Sequence, residues 1–274
     1  MRQMKYCVSY HKDFRHLDKV DEVIIKFQNQ TQKQLIDFLE TMRADVRVIV
    51  KLEENTLNID KATEIFANAK VIHPNFSVAL SGPDAAFTER LKEKEIPFFY
   101  STFVDKWDVL MSFLSVGVSD VYIVNELGFD LKDVSKICKE YGVQVRVFPN
   151  VAQLSSQVGK MNKLKSFFIR PDDIEHYAPY VDVCEFFGPL DRQSVLYEIY
   201  IGEKWLGDLE QLIIGLNMSI QNNTLVPAFG MERISCRKDC YKGKCIICDK
   251  CLSVANSLKE ANVVIRKVKS VEEL

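Results

Sequence analysis

Five cysteines fall within sixteen residues near the C-terminus, in the run CRKDCYKGKCIICDKC from Cys236 to Cys251. Cys245, Cys248 and Cys251 stand on two consecutive C-x2-C steps, a spacing that brings neighbouring thiolates onto one metal centre within a turn or two of backbone. The candidate ligands are Cys236, Cys240, Cys245, Cys248 and Cys251. Four thiolates suit zinc and iron-sulfur equally by softness. The tight spacing of the last three is that of ferredoxin-type ligation, and the long spacer of a zinc ribbon is missing. A [4Fe-4S] cluster held by Cys240, Cys245, Cys248 and Cys251 is therefore the expected cofactor, with Cys236 as an alternative ligand and structural zinc as the alternative metal. Lys238, Lys242, Lys244 and Lys250 surround the run and would offset its negative charge, although a solvated basic loop explains them nearly as well.

Eight cysteines could also pair as disulfides. The chain opens MRQMKYCVSYHKDF without an apolar leader, and no segment approaches the roughly 18 apolar residues of a membrane span. A reducing cytoplasm is the expected compartment, where clustered thiols bind metal or do redox chemistry. Cys7, Cys138 and Cys184 are scattered through regular segments and read as small buried hydrophobes.

The chain has 274 residues, enough for one large core or two modest ones. Its 36 basic and 38 acidic residues nearly cancel, which argues against a general polyanion binder and a general DNA-binding role while leaving room for a local basic patch. The four histidines, His11, His16, His73 and His176, have no spacing that sets two ligands on one helix face. A histidine-based zinc hydrolase, a Ser-His-Asp triad and an ordinary cysteine protease all lack support. His73 is expected in a loop and His176 facing solvent.

The elements that must position any chemistry alternate from the N-terminus to about residue 200. Strand-like runs lie at 22–27, 46–52, 76–82, 97–103, 120–125, 144–150, 166–171 and 182–188. Most are continuous apolar runs rather than clean alternations, as parallel strands covered on both faces should be. Amphipathic stretches such as TQKQLIDFLETM, DKATEIFANA and DLKDVSKICKEYG separate them. Thr31 and Asp60 are candidate N-caps, Pro83 suits a first helical turn, and Gly117 and Gly142 fall where helices should stop. The sixth connection, 151–166, has no long apolar face.

Eight strand-helix units in about 200 residues predict an α/β fold, a (β/α)8 TIM-like barrel over 1–205, followed by a small cysteine-rich metal- or cluster-binding extension over 206–274. An open doubly wound sheet would alternate in the same way, but no G-x-G-x-x-G or Walker loop is present.

In such barrels chemistry gathers at the C-terminal strand ends. Those ends offer Lys26, Gln28, Lys51, Glu53, Ser81, Tyr100, Ser101, Asn125, Glu126, Asn150, Gln153, Arg170, Glu185 and Arg192. For any one of these charges an ion-pair network closing the mouth is the bland alternative. The candidate catalytic residues are Arg170, Glu185, Glu126 and Lys51. Arg170 directly precedes Pro171, where extended backbone can aim a guanidinium at a carboxylate or phosphate.

From Phe167 onward the stretch FFIRPDDIEHYAPYVDVCEFFGPLDRQSVLYEIYIGEKWLGDLEQLI resembles the C-terminal part of the collagenase-like peptidases, peptidase family U-thirty-two. There an R-P-E-D turn, a strand like CEFFG, a tyrosine-bearing helix and a G-N-L-like turn follow in this order, and some members end in a cysteine-rich tail like DCYKGKCIICDKCLSVA. The resemblance covers roughly residues 120–260. It implies a TIM-like barrel and, in members understood as hydroxylation proteins, an iron-sulfur-dependent activity on small molecules or RNA bases. Arg170, Asp172 and Asp173 would match the turn, Glu185 and Gly188 the strand, and Asp208 the later turn. The chain departs from the pattern at the sixth strand end, where FPNVAQLSSQVGK stands in place of an H-G-A-x-C signature, so the tail must supply its own ligands.

The sequence thus predicts an iron-sulfur hydroxylation-type enzyme, or a subunit of one working with a protein partner, acting on a small anionic substrate or an RNA base. The alternatives are a noncatalytic barrel module with structural zinc, and a peptidase. KMNKLK at 160–165 and RKDCYKGK at 237–244 could meet RNA phosphates if they share a rim.

Overall fold

The computed structural model describes residues 4–27, 32–52, 58–104, 106–123, 130–150, 169, 171 and 174–201. The strands are β1 Lys5–Ser9, β2 Glu22–Phe27, β3 Arg47–Leu52, β4 Phe76–Leu80, β5 Phe98–Tyr100, β6 Phe103–Val104, β7 Asp120–Ile123, β8 Gln144–Val147 and β9 Val183–Glu185. All pairings are parallel, in the order β5-β4-β3-β2-β1-β9-β8-β7-β6. Only Ser101 and Thr102 separate β5 from β6, so the order begins and ends on one segment. Ser119, just before β7, donates its N–H to Phe98 O at 2.7 Å. The sheet therefore curls round into a nearly closed parallel barrel with eight positions, the 98–104 segment filling one of them.

Among the described residues the expected count of eight is reached, with two changes of membership. Lys5–Ser9 is a barrel strand that the sequence reading passed over, because KYCVS is short and carries a single β-branched residue. The seventh expected strand, 166–171, lies mostly outside the described residues. At the level of Arg146 and Val147 no strand intervenes, since β8 pairs directly with β9. Nearer the mouth Ile169 donates its N–H to Pro149 O at 2.9 Å. The 151–166 connection, the 206–274 extension and the domain boundary at 205 lie outside the described residues.

Helices α1 Gln32–Thr41, α2 Ile59–Ile72, α3 Ala85–Glu93, α4 Trp107–Val116, α5 Leu131–Glu140, α6 Ile174–Tyr177 and α7 Gln193–Tyr200 are spread along the chain between and after the strands. Asn58, rather than Asp60, caps α2: its side chain accepts from the N–H groups of Asp60 and Lys61. Asp60 sits instead in the first turn, where its charge favours the helix dipole. Asp84 caps α3, so Pro83 precedes the helix. Gly117 ends α4 in the left-handed region at φ 79°, as its position predicts. Gly142, φ 70°, turns the chain after α5. Thr31 lies outside the described residues.

The core is the shell between strands and helices. Phe66 of α2 packs against Phe27, Phe76 and Phe87, and Tyr6 and Phe186 pack against Tyr197 of α7. Outward positions along the strands, such as Val48, Val50, Val78, Val121 and Val145, are apolar and buried. Inward positions carry Glu22, Lys26, Arg47, Lys51, Ser77, Asp120, Tyr122, Gln144, Arg146 and Glu185. Both faces of the strands are largely buried, as expected of parallel strands covered on both sides, and beyond that expectation the inward face carries most of the polar residues. No described helix is long and apolar enough to cross a membrane.

Candidate active site at the barrel mouth

A column of charge fills the barrel. At its base Arg47 forks onto Asp120, with Nη1 to Oδ1 at 2.8 Å and Nη2 to Oδ2 at 2.6 Å. Its Nε donates to Ser77 Oγ at 3.0 Å, and Ser119 Oγ donates to Asp120 Oδ2 at 2.6 Å. Above it the fully buried Arg146 donates from Nη1 to Glu22 Oε2 at 2.6 Å and Asp120 Oδ1 at 2.9 Å. From Nη2 it donates to Glu185 Oε2 at 3.3 Å. Its guanidinium carbon lies 5.1 Å from the Phe99 ring centroid and 5.6 Å from that of Tyr122, within cation–π range.

Register explains the convergence. Glu22 pairs with Arg47, Asp120 with Gln144 and Tyr122 with Arg146, so inward side chains of adjacent strands meet at the same height. Burial would push the Asp120 carboxyl up, but Arg47 and Arg146 hold it well below the usual carboxylate range. The cost of desolvating these ions is offset only because each is paired at hydrogen-bond distance.

At the C-terminal strand ends the column finishes at Glu185 and Tyr122. The Tyr122 hydroxyl donates to Glu185 Oε2 at 2.5 Å. Burial raises the Glu185 carboxyl above its ordinary value, with Arg146, the Tyr122 hydrogen bond and Lys51 opposing. Burial also raises the Tyr122 phenol, as does the Glu185 charge, which keeps it a donor at neutral pH. Lys51, half-buried, stands on β3, four places round the barrel from β8. An aromatic wall rises on the β8 side: Phe148 stacks on Tyr122 with centroids 5.0 Å apart and planes 1° apart, while Phe103 and Phe187 meet Phe148 edge-on. Phe103, Phe148 and Phe187 are all half-buried.

Among the expected catalytic residues, Glu185 and Lys51 are brought within electrostatic reach of each other. Arg170 and Glu126 lie outside the described residues, as do Gln28, Glu53, Asn125, Gln153 and Asp172, Asp173 and Asp208. Tyr100 is corrected. It faces outward, buried, with its hydroxyl 3.0 Å from Thr88 Oγ1 of α3, because it sits one residue out of phase with the inward Phe99. Asn150 is a buried clamp that accepts from Phe187 N at 3.0 Å and donates to Phe187 O. Ser81 donates to Leu52 O at 2.9 Å, and Ser101 Oγ is buried without a partner among the described residues. Lys26 is exposed, and Arg192 closes the 3-10 turn that leads into α7. His73 lies in the connection after α2, as expected, but buried: at the C-cap its Nε2 is 2.8 Å from Val46 O, tying that helix to the start of β3. His176 is exposed on α6 as expected.

Sequence reasoning missed Glu22, Arg47, Asp120, Tyr122 and Arg146. A signal existed in the polar and charged residues recurring at even spacing inside apolar strands, as in Glu22 and Lys26, Arg47 and Lys51, and Gln144 and Arg146.

The cysteines of the 236–251 run lie outside the described residues. Among the described residues no group of three or more His, Cys, Asp or Glu could hold a metal ion. Cys7, Cys138 and Cys184 are buried, and burial raises each thiol, so they are poor ligands as they stand.

No protein-family model and no curated protein matches the chain. Solved structures match at low identity. A protein from Sorangium cellulosum, assigned as a mandelate racemase/muconate lactonizing enzyme, is 9% identical over 54% of this chain and 46% of its own, with TM-score 0.40. An enolase from Mycobacterium smegmatis is 10% identical over 68% of this chain and 49% of its own, TM-score 0.42. The tryptophan synthase alpha chain of Legionella pneumophila is 10% identical over 74% and 85%, TM-score 0.43. The chain spans about half the length of the first two. The barrel assignment rests on strand order and pairing, and none of these likenesses bears on activity.

Proposed function

We propose that the chain is a hydroxylation-type enzyme, or a subunit of one, similar to the U-thirty-two peptidase family. Its barrel mouth takes a small anionic molecule or an RNA base, and its C-terminal thiolates hold a [4Fe-4S] cluster. The observation that carries the catalytic part is the end of the buried charge column: Glu185 and Tyr122 share a hydrogen bond at the strand ends, with Lys51 in electrostatic reach. A buried carboxyl raised above its ordinary value, beside a cation and an aromatic wall, is suited to orienting a polar ring and moving its protons. Arg170 and Glu126, candidates from the sequence alone, would add a second cation and a second carboxylate if they reach the mouth. The four-thiolate donor set of Cys240, Cys245, Cys248 and Cys251 fits a soft cluster, which when bound supplies electron transfer. A reducing cytoplasm suits those thiolates.

A second reading has its own support. Every buried guanidinium and carboxylate of the column is paired inside the barrel, as a structural plug would be. The sixth strand end also lacks the family's cysteine signature. That favours a noncatalytic module whose tail holds zinc and whose barrel docks to a partner. Proteolysis has only the family's name behind it.

Anaerobic purification of the full chain, followed by absorbance spectroscopy and iron, acid-labile sulfide and zinc analysis, separates the two. Brown protein with iron and sulfide in equal amounts supports the enzyme. Colourless protein carrying zinc alone overturns it in favour of the module.

A further inference from the structure

The barrel column contains three carboxylates, Glu22, Asp120 and Glu185, against two guanidiniums, Arg47 and Arg146. Lys5 approaches Glu22 and Lys51 acts on Glu185, and the distances show how unevenly the carboxylates share these cations. Asp120 receives both guanidiniums at 2.6 to 2.9 Å. Glu22 receives Arg146 at 2.6 Å, with Lys5 at 3.8 Å and Arg47 at 3.7 Å on its other oxygen. Glu185 receives one guanidinium contact, at 3.3 Å, and the hydroxyl of Tyr122 at 2.5 Å. Both arrive at the same atom, Oε2, and among the described residues no group donates to Oε1. Glu185, at the mouth end of the column, is thus the carboxylate held most weakly by guanidinium.

We propose that Glu185 is the proton-exchanging carboxyl of the barrel mouth and that Tyr122 is its positioning residue, fixing Oε2 so that Oε1 takes or gives the proton. The proposal deepens the enzymatic reading above and rests on it for the reaction that the proton serves. A carboxylate anchored through one oxygen loses the rotational freedom that would otherwise spread its lone pairs over many directions, so a ligand in the mouth meets one acceptor in one place. The phenol is suited to this work because it stays protonated and neutral, donating without adding a charge of its own. Its ring is held in turn by the parallel Phe148 ring.

The ionisable groups around Glu185 come from five strands. Cys7 of β1 is its register partner, Glu22 of β2 shares Arg146 with it, and Lys51 of β3 acts on it through space. Tyr122 of β7 and Arg146 of β8 bond it directly. Cys7 is buried with its thiol raised and stays neutral, leaving Lys51 and Arg146 as the cations that oppose protonation.

The test is a pH titration of the Glu185 carboxyl carbon by nuclear magnetic resonance, in full-length protein labelled at glutamate. Its signal is assigned by Glu185→Gln or, should that variant not fold, from the backbone-linked spectrum. Tyr122→Phe keeps the ring and its stacking and removes only the hydroxyl. It is expected to raise the proton affinity of Glu185 about tenfold, the size of one lost hydrogen bond to a charged group. Phe148→Leu removes the stacked ring and keeps the hydroxyl, and is expected to change that affinity less than about twofold. A Glu185 titration unmoved by Tyr122→Phe in folded protein overturns the positioning role, and a wild-type Glu185 that ionises at or below the ordinary carboxylate range overturns the proton-exchanging role. The titration needs neither substrate nor turnover, so its failure is distinct from a zinc-only metal analysis, which strikes the enzymatic reading itself.

Discussion

Arg146 and Asp120 stand on neighbouring strands of the barrel, and their side chains meet at 2.9 Å with no solvent-exposed surface on either. That pair is the centre of the column: through Asp120 it reaches Arg47 at the barrel base, and through Arg146 it reaches Glu185 at the mouth. Stability and chemistry are therefore built from one set of ions.

Removing the central cation should be severe. Arg146→Ala leaves Glu22, Asp120 and Glu185 crowded with a single buried guanidinium, and breaking a buried pair in this way costs about 3 to 5 kcal/mol. Urea unfolding followed by circular dichroism measures the loss. A variant within about 1 kcal/mol of wild type would show that water or rearrangement satisfies the carboxylates.

The acid limb of stability should depend on Asp120. Its folded-state proton affinity lies below the ordinary value of 3.8, so the stability it contributes is fully present above that pH and is lost as pH falls through the lower folded value. The advantage of wild type over Asp120→Asn is expected to be flat near neutral pH and to shrink in acid. Glu185 has the opposite sign. Raised above 4.5, it favours the folded state less as pH climbs from that value through the folded one, so wild type should lose ground to Glu185→Gln over that window. Denaturation curves at a series of pH values read both.

Three thiols should be silent. Cys138 is pushed up to about 12 by burial and by Asp182, and Cys7 and Cys184 are raised by burial. Iodoacetamide at pH 8 on native protein, read by peptide mass spectrometry, is expected to leave all three unmodified and to label them only after unfolding. Native-state labelling of Cys138 would contradict its packing.

Gly117→Ala isolates a backbone effect. At φ 79° the residue caps α4, and nothing lies within 4 Å of an added Cβ, so the cost is conformational alone, about 1 kcal/mol. Thermal unfolding should show a small drop in Tm with an unchanged fold, and a loss several times larger would require a clash that the packing does not contain.

Cys248→Ala tests the thiolate run, since Cys248 sits at its middle and its loss opens the coordination shell. Metal content per chain is expected to fall sharply, and undiminished stoichiometry would remove Cys248 from the ligand set.

Much of the barrel was legible because local propensity and periodicity carry it. Seven of the eight expected strand runs coincide with barrel strands, and Gly117 and Gly142 end helices where their lack of a Cβ predicts. KYCVS at Lys5–Ser9 escaped notice because its strand character comes from pairing with β2 and β9 rather than from composition. Tyr100 was misplaced for a different reason: a shift of one residue turns a strand side chain from the barrel interior to the helix shell, and only the pairing register fixes that phase.

By itself the sequence determined most of the order of strands and helices, the near-neutral charge and the tight spacing of the C-terminal thiols, all of which are properties of neighbours along the chain. The tertiary structure alone decided that Glu22, Arg47, Asp120, Arg146 and Glu185, spread over more than 160 residues, share one dry column, and that Tyr122 anchors its mouth end. Curling the sheet into a barrel brings inward side chains of distant strands to a common axis, where low polarity magnifies every charge, and neither proximity nor desolvation can be read from residues in line.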